Sequence, residues 1–332
     1  MSSWRERSRR VVGRLVDWAR VQPKLSIYPC TSFPSTVVVS TSRREAISFY
    51  LAISPWLIGF VAFTLIPMAI ALYLGFTNWD LFGTPRWAGL GNYARMLADP
   101  LFTQALKVTT IYTAVYVPAE IVGGLALALL VNRKARGISV FRTILYLPSV
   151  LAGVAYVVLW MWIFNPQGGL LNTLLGYFGI AGPRWLIDPN WALPALLLMT
   201  FWGWGRSMVI FLAGLQGVPP ELYEAGAIDG AGDWAKLRRI TLPMITPTIL
   251  FALILSIIST FQTFTSAFVA TNGGPLDATL FFVLYIYRQA FQFFRMGYAA
   301  ALAWVLFVIV MALTLVLFRS GQFWVYYEGT RE

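Results

Sequence analysis

The chain has 332 residues, of which 58% are hydrophobic and only 12% are charged, and its formal net charge is +11. This balance lies outside the range of soluble globular domains and indicates a membrane protein. The sequence has no histidine and a single cysteine, Cys30, which excludes Ser-His-Asp and Cys-His catalysis, histidine metal sites and a disulfide framework. The positive charge does not require nucleic acid as a partner, because anionic lipid is a natural counter-surface.

Residues 1–45 form a separate N-terminal extension that is rich in arginine and lacks the apolar core of a signal peptide. Its apolar residues have a loosely helical spacing, which fits an amphipathic helix lying on anionic lipid. A disordered basic tail explains the same composition. The sequence alone leaves both interpretations open.

Six apolar segments follow, each about 20 residues or longer, the length that a helix needs to cross the hydrocarbon core of a bilayer. We therefore predict an all-α membrane protein with a six-helix transmembrane bundle over residues 46–320 and a C-terminal tail over residues 321–332. The predicted spans are residues 51–75, 105–131, 143–164, 191–214, 246–270 and 297–318.

The orientation of the bundle is predicted from its cations. Most of the 25 Lys and Arg residues lie before the first span, after the second, between the fourth and fifth, and after the last. Short cationic segments stay in the cytoplasm. Both termini are therefore predicted to be cytoplasmic, in a multi-pass protein of the plasma or inner membrane. On the other side, the aromatic segment 280–294 has the composition of a membrane–water interface.

A polar insert over residues 219–243 separates the fourth and fifth spans. Pro219 and Pro220 are predicted to end the fourth span and to start a short helix that continues to about Ile228. Gly230 and Gly232 then allow a turn with positive φ. Asp233 is expected to cap a second short helix, Trp234 to Thr241, which Pro243 ends. Such a projecting helix pair is typical of a docking element, although a merely solvated loop explains the same residues.

Two charged residues lie inside predicted spans, Glu120 in the second and Arg206 in the fourth. Intramembrane charges usually pair with one another and face the interior of the bundle. One hypothesis is therefore a Glu120–Arg206 ion pair. The other is that Arg206 binds an anionic group such as a sugar phosphate, because a guanidinium matches phosphate with two parallel donors.

The insert carries a resemblance to a known family. Its pattern E-A-G-x-x-D-G-A from Glu224 to Ala231, followed by Leu237, Pro243 and Pro247, resembles the EAA loop of permease subunits of binding-protein-dependent ABC importers. The segments FTNW (76–79), GLGNYARML (89–97), LYLPSV (145–150) and TNGGP (271–275) are similar to the carbohydrate branch, including maltose-type first permeases. Gly226 and Leu237 depart from the commonest residues of the pattern.

The resemblance implies a function for the insert. In this family such a loop is a coupling helix that sits in a cleft of a cytoplasmic ATPase, and it transmits the closure of two ATPases around ATP. The residues that the resemblance assigns to coupling are Glu224, Ala225, Gly226, Asp229, Gly230, Ala231 and Pro243. The chain lacks a G-x-x-x-x-G-K-[ST] phosphate loop, so ATP and Mg are expected on the partner and no cofactor or metal on this chain.

The resemblance also implies the partners and the substrate path. The expected partners are a second permease, two ATPases and an extracytoplasmic binding protein; the expected solute is a sugar, an oligosaccharide or a glycerol phosphate. Helices on either side of the loop line the path in maltose-type permeases, which points to a set of polar and aromatic residues: Trp202, Trp204, Arg206, Ser259, Gln262, Thr263 and Ser266.

The fifth-span residues of that set share one helix face, at spacings i, i+3, i+4 and i+7. Hydrogen bonding between helices explains the same pattern. The alternative function for the whole protein is an ion-coupled secondary transporter. The sequence disfavours it, because no inverted repeat is evident and the spans contain few carboxylates. An intramembrane enzyme is disfavoured because no catalytic constellation lies within the spans. Whether ATP or an ion gradient drives uptake into sealed vesicles distinguishes the ABC importer from the ion-coupled transporter.

Overall fold

The computed structural model describes residues 43–133, 135–151 and 153–326; the predictions for the N-terminal extension lie almost entirely outside these ranges. The described chain is helical apart from a two-stranded antiparallel hairpin, in which Thr77 pairs with Trp87 and Asn78 with Arg86. The elements are α1 (Arg43–Phe60), α2 (Ile66–Gly75), β1 (Thr77–Asn78), β2 (Arg86–Trp87), α3 (Gly91–Ala98), α4 (Pro100–Val131), α5 (Ile138–Tyr146), α6 (Gly153–Ile163), α7 (Leu170–Tyr177), α8 (Pro189–Phe201), α9 (Gly205–Gln216), α10 (Pro220–Ile228), α11 (Asp233–Lys236), α12 (Leu242–Met244), α13 (Thr246–Phe261), α14 (Thr265–Ala270), α15 (Phe282–Tyr287) and α16 (Met296–Trp324).

The described residues divide into two compact units, one ending at Phe60 and one beginning at Val61. In the first unit α1 is an apolar helix with Glu45 in its first turn and Pro55 in its interior. All the packing described below lies within the second unit.

Four helices of the described chain are long and apolar enough to cross a membrane: Glu45–Gly75, Pro100–Val131, Thr246–Ala270 and Met296–Trp324. Two further helix pairs are apolar and long enough when taken together, but each bends sharply at a short break, so the total reaches six if each pair is one span. These correspond to the six predicted segments. The last helix extends to Trp324, beyond the predicted end of the sixth span at residue 318.

The third and fourth spans are broken, which the prediction of continuous helices missed. In the third, a 3₁₀ turn at Leu147–Val150 contains Pro148, and α6 leaves at 98° to the preceding helices. In the fourth, α8 and α9 meet at 45° across Trp202, Gly203 and Trp204. Proline cannot donate the backbone hydrogen bond that a continuous helix needs, which fits the change to a 3₁₀ turn at Pro148; the chain then turns at Leu151, whose backbone is extended at ψ 138°.

Glycines allow α9 to pack closely on its neighbours. A Cβ at Gly123 of α4 would lie 2.1 Å from the ring of Trp204, and one at Gly124 would lie 2.7 Å from Cβ of Ser207. On another side, a Cβ at Gly205 would lie 2.2 Å from the carbonyl oxygen of Leu145, so the start of α9 abuts the end of α5. Small residues permit such close backbone approach between membrane helices.

Two apolar clusters fill the second unit. The larger contains Tyr112, Met199, Phe281 and Tyr285, all almost completely buried. Segment 280–294 therefore contributes its first residues to the core and leaves Phe291, Phe293 and Phe294 exposed. The smaller cluster joins the end of α4 to α9 and α13 through side chains that include Val131, Phe211 and Ile245.

Candidate functional site

A cavity of about 340 Å³, lined by both polar and apolar side chains, lies where the breaks of the third and fourth spans face α4 and α13. We call it the Glu120 cavity. The break at Pro148 and Leu151 forms one wall, and Gly203 of the other break forms another. Its polar lining consists of Tyr116, Glu120, Ser149, Tyr156, Thr200, Arg206, Ser207, Ser256 and Ser259. Irregular backbone at membrane depth is tolerated where it lines such a cavity, since water or solute can then satisfy its polar groups.

Glu120 is the best-fixed polar group of this cavity. Its side chain is buried, and one carboxylate oxygen, Oε1, accepts a hydrogen bond from Ser207 Oγ at 2.6 Å. The other oxygen accepts a short hydrogen bond from Ser256 Oγ. Because Ser207 belongs to α9 and Ser256 to α13, a single carboxylate of α4 ties three helices together.

The predicted Glu120–Arg206 ion pair does not form. Among the described residues, one ion pair has an N–O distance within 4.0 Å, and it joins Arg288 to Asp277 at 3.1 Å. Arg206 is instead an exposed residue of the cavity wall, two residues into α9. Serine hydroxyls from two other helices hold the carboxylate of Glu120 in place, more than 4.0 Å from the guanidinium of Arg206. The structure brings the two charges into one cavity without pairing them.

Of the predicted path residues, only Arg206 and Ser259 line the Glu120 cavity. Trp204 packs over Gly123 and against Phe201, with ring centroids 5.0 Å apart, so it fills the interface between helices. Trp202 stacks on Tyr156 at 5.8 Å and is 42% exposed. The remaining residues, Gln262, Thr263 and Ser266, do not belong to the cavity wall.

The predicted polar face of the fifth span is interrupted. The regular helix α13 ends at Phe261, and the backbone is irregular from Gln262 to Phe264 before α14 begins. Helical spacing therefore does not place Gln262, Thr263 and Ser266 in line with Ser259. Ser259 itself donates to the carbonyl oxygen of Ser256 at 2.9 Å, a bond within its own helix.

Several cavity residues were missed by reasoning from the sequence. Two carried a signal: Ser256 lies three residues before Ser259, and Tyr116 lies four residues before Glu120, so each shares a helix face with a predicted residue. Ser149, Tyr156 and Thr200 carried none. They reach the cavity because the third and fourth spans break beside it, and neither break was predicted.

The polar insert forms two short helices, as predicted, with a defined turn between them. Gly230 has φ +74°, which confirms the predicted positive φ, whereas Gly232 has φ −70°. The amide of Gly230 donates to Ala227 O at 3.1 Å, and the amide of Ala231 donates to Gly226 O at 2.8 Å. These two bonds are the Schellman pattern, which terminates a helix with a left-handed residue that is usually glycine.

The second helix of the insert differs from the prediction. Asp233 is not its cap: Gly232 occupies that position without a side-chain bond, and Asp233 is the first helical residue. Helical structure also continues past Thr241 through a π-helical turn, Leu237–Thr241, into α12. Pro243 directly follows this π-helical turn as the second residue of α12.

The insert is packed on one side and open on the other. Tyr223 Oη and Thr241 Oγ1 share a hydrogen bond of 3.0 Å, and a Cβ on Gly226 would lie 3.0 Å from Ile240 Cδ1. This second contact gives a reason for glycine at position 226. On the open side, Ile228 and Trp234 are 87% and 72% exposed. Among the residues expected to act in coupling, Glu224, Ala225, Asp229 and Gly230 are exposed, while Gly226, Ala231 and Pro243 are half-buried.

Comparison with known proteins identifies the class to which this fold belongs. The family described as "Binding-protein-dependent transport system inner membrane component" matches residues 120–323. The chain is 43% identical over 295 residues to "Probable ABC transporter permease protein YesP" of Bacillus subtilis, covering 87% of this chain and 95% of that protein. It is 36% identical over 300 residues to "Lactose transport system permease protein LacF" of Rhizobium radiobacter, covering 86% and 99%.

Solved structures agree on the fold. A crystal structure of a bacterial alginate ABC transporter, in complex with an alginate pentasaccharide-bound periplasmic protein, contains a chain that superposes with a TM-score of 0.75 at 24% identity. The match covers 84% of this chain and 95% of the other. Together with the family match over more than half of its residues, these findings show that the chain belongs to the binding-protein-dependent transport system inner membrane components, the permease subunits of ABC importers.

Proposed function

We propose that this permease subunit carries a sugar, an oligosaccharide or a glycerol phosphate through the Glu120 cavity, driven by ATPase partners that bind the insert. The observation that carries the proposal is the cavity itself: a space at the breaks of two helix pairs, lined by polar and apolar side chains that include the charged residues Glu120 and Arg206. Hydroxyl, phenol and guanidinium groups around it are suited to solutes rich in hydroxyl groups.

The exposed face of the insert supports its role as the ATPase contact. Ile228 and Trp234 are large apolar side chains that remain exposed beside the carboxylates of Glu224 and Asp229. A rigid short helix with exposed apolar anchors and a charged surround is suited to lie in a groove of a partner. ATP and Mg²⁺ would then be bound by the partner, since this chain has no phosphate loop.

Packing joins the insert to the cavity. Tyr223, Ile240 and Leu242 of the insert pack on the smaller apolar cluster, which includes Phe211 of α9. The same helix α9 carries Arg206 and Ser207 in the cavity wall. Movement of the insert by an ATPase would therefore act on a helix that borders the solute path.

The complete importer would contain a second permease, two ATPases and an extracytoplasmic binding protein. The alginate transporter, whose fold this chain shares, was solved with a periplasmic protein that carries the solute, which supports the last of these partners. The distribution of cations supports a cytoplasmic location for the insert and both termini. Relatives that are ABC permeases do not favour the ion-coupled alternative.

Uptake into sealed proteoliposomes tests the function. The purified complex with its binding protein should accumulate a radiolabelled saccharide or sn-glycerol 3-phosphate when ATP is enclosed. Uptake should persist when ionophores collapse the proton and sodium gradients. Accumulation that needs an ion gradient and ignores ATP would refute the proposal.

Topology is tested separately with reporter fusions. A reporter after Gly217 should be cytoplasmic, and reporters after Asn172 or Gly274 should be external. An external reporter after Gly217 would contradict the coupling role, because a cytoplasmic ATPase could not reach the insert.

Two glycine substitutions test the coupling role with a matched control. Neither Gly230 nor Gly232 would bring a Cβ within 4 Å of another group, so Gly230→Ala and Gly232→Ala differ in backbone strain and not in crowding. Alanine at φ +74° costs about 1–2 kcal/mol. We expect Gly230→Ala to weaken the stimulation of ATP hydrolysis by solute-loaded binding protein, with Gly232→Ala near wild type. Equal stimulation in both variants would show that the turn plays no part in coupling.

A further inference from the structure

We infer that the Glu120 cavity selects an anionic solute, a saccharide or polyol bearing a carboxylate, sulfonate or phosphate, and that Arg206 binds this group. The inference rests on the proposed function, since it concerns the solute that passes through the same cavity. Two charged residues line the described cavity wall, Glu120 and Arg206, and they differ in whether the protein itself supplies them with partners.

The negative charge is already engaged within the protein. Ser207 and Ser256 donate to different oxygens of Glu120, and the side chain is buried. Two of its roughly four acceptor positions are therefore already used within the protein, and burial limits access to the others. Its position is fixed by α9 and α13, so it is also not free to swing toward Arg206.

The positive charge, in contrast, has no carboxylate partner among the described residues. Arg206 lies in the exposed part of the cavity wall with no salt bridge to any described side chain. A guanidinium presents donors in a planar fork that matches carboxylate, sulfonate and phosphate oxygens in pairs. An unpaired charge at membrane depth is costly and marks a solute or ion pathway.

Paired solutes that differ in one charged group test the inference. Galacturonate is compared with galactose, and sn-glycerol 3-phosphate with glycerol, by thermal stabilisation of the purified importer complex without binding protein. This design separates the cavity from the selectivity of the binding protein. At least one anion should bind about tenfold more tightly than its neutral partner, as expected for a charge-assisted hydrogen bond. Arg206→Gln should abolish that difference, and Arg206→Lys should retain part of it.

A control variant distinguishes the cavity charge from overall charge. Arg184→Gln removes a cation from the loop before α8, outside the cavity wall, and should leave the preference intact. Equal affinity for the charged and neutral member of both pairs, or a preference that survives Arg206→Gln, would overturn the inference. ATP-driven uptake of a neutral saccharide alongside that result would leave the proposed function standing, whereas failure of ATP-driven uptake of every saccharide and polyol tested would remove both.

Discussion

The carboxylate of Glu120 should be energetically coupled to Ser256, and a double-mutant cycle measures that coupling. Glu120→Leu alone is a poor test, because it removes two hydrogen bonds and also relieves the cost of burying a charge, and these effects oppose each other. In the cycle the burial cost cancels, which leaves the interaction between the two side chains.

The structure sets the expected magnitude. Hydrogen bonds between membrane helices average about 0.6 kcal/mol in double-mutant cycles and reach ~1.7 kcal/mol. The Ser256 bond is buried and charge-assisted, features that place it in the upper part of that range. We therefore expect a coupling free energy of roughly 1–1.5 kcal/mol between Glu120→Leu and Ser256→Ala, and a similar value for Ser207→Ala, whose Oγ lies 2.6 Å from the carboxylate.

Ser259 provides the matched control. It lines the same cavity on the same helix, but its hydroxyl donates to the carbonyl of Ser256 and not to Glu120. The changes Glu120→Leu and Ser259→Ala should add to within about 0.5 kcal/mol. The assay is reversible unfolding of the purified subunit by SDS in mixed micelles. A Ser256 coupling below ~0.3 kcal/mol, or one equal to that of Ser259, would refute the assignment of Glu120 as the link between three helices.

Three further outcomes are expected. In the SDS titration, Gly205→Ala should destabilise the subunit by about 1–3 kcal/mol or more, since its Cβ would lie 2.2 Å from the backbone oxygen of Leu145. Gly176→Ala is the control: it has open space around it and should be neutral or stabilising in the same titration. Burial would raise the pKa of Asp99, but bonds from Tyr285, Tyr298 and backbone amides outweigh it and lower the pKa below its ordinary value. Its contribution to stability is therefore complete at neutral pH and is lost as the pH falls through the lowered pKa; Asp99→Asn should flatten this part of the profile of unfolding temperature against pH. Arg142→Ala should cost about 1 kcal/mol in that titration, because the guanidinium donates to the carbonyl of Val131 at the end of α4, at 2.8 Å.

The sequence by itself determined the class of the protein and the course of its chain. Runs of apolar residues long enough to cross a bilayer leave few alternatives to helices, because backbone polar groups must bond internally in hydrocarbon. The prolines and glycines of the insert likewise encode a local event: Pro220 starts a helix and Gly230 adopts the positive φ that ends it. These features depend on neighbours in sequence, so a reader of the sequence can find them.

The tertiary structure decided which polar residues meet. Glu120 and Arg206 were recognisable as intramembrane charges. The groups that hold the Glu120 carboxylate, however, are serines that lie 87 and 136 residues away from it in the chain. Trp204 looked like a stacking surface for a sugar until its position over Gly123 showed that it fills a helix interface. The cavity itself exists because two helices break at the same place and pack against each other there. Helical periodicity assumes an unbroken helix, so no pattern of spacing could predict a site built from two interruptions.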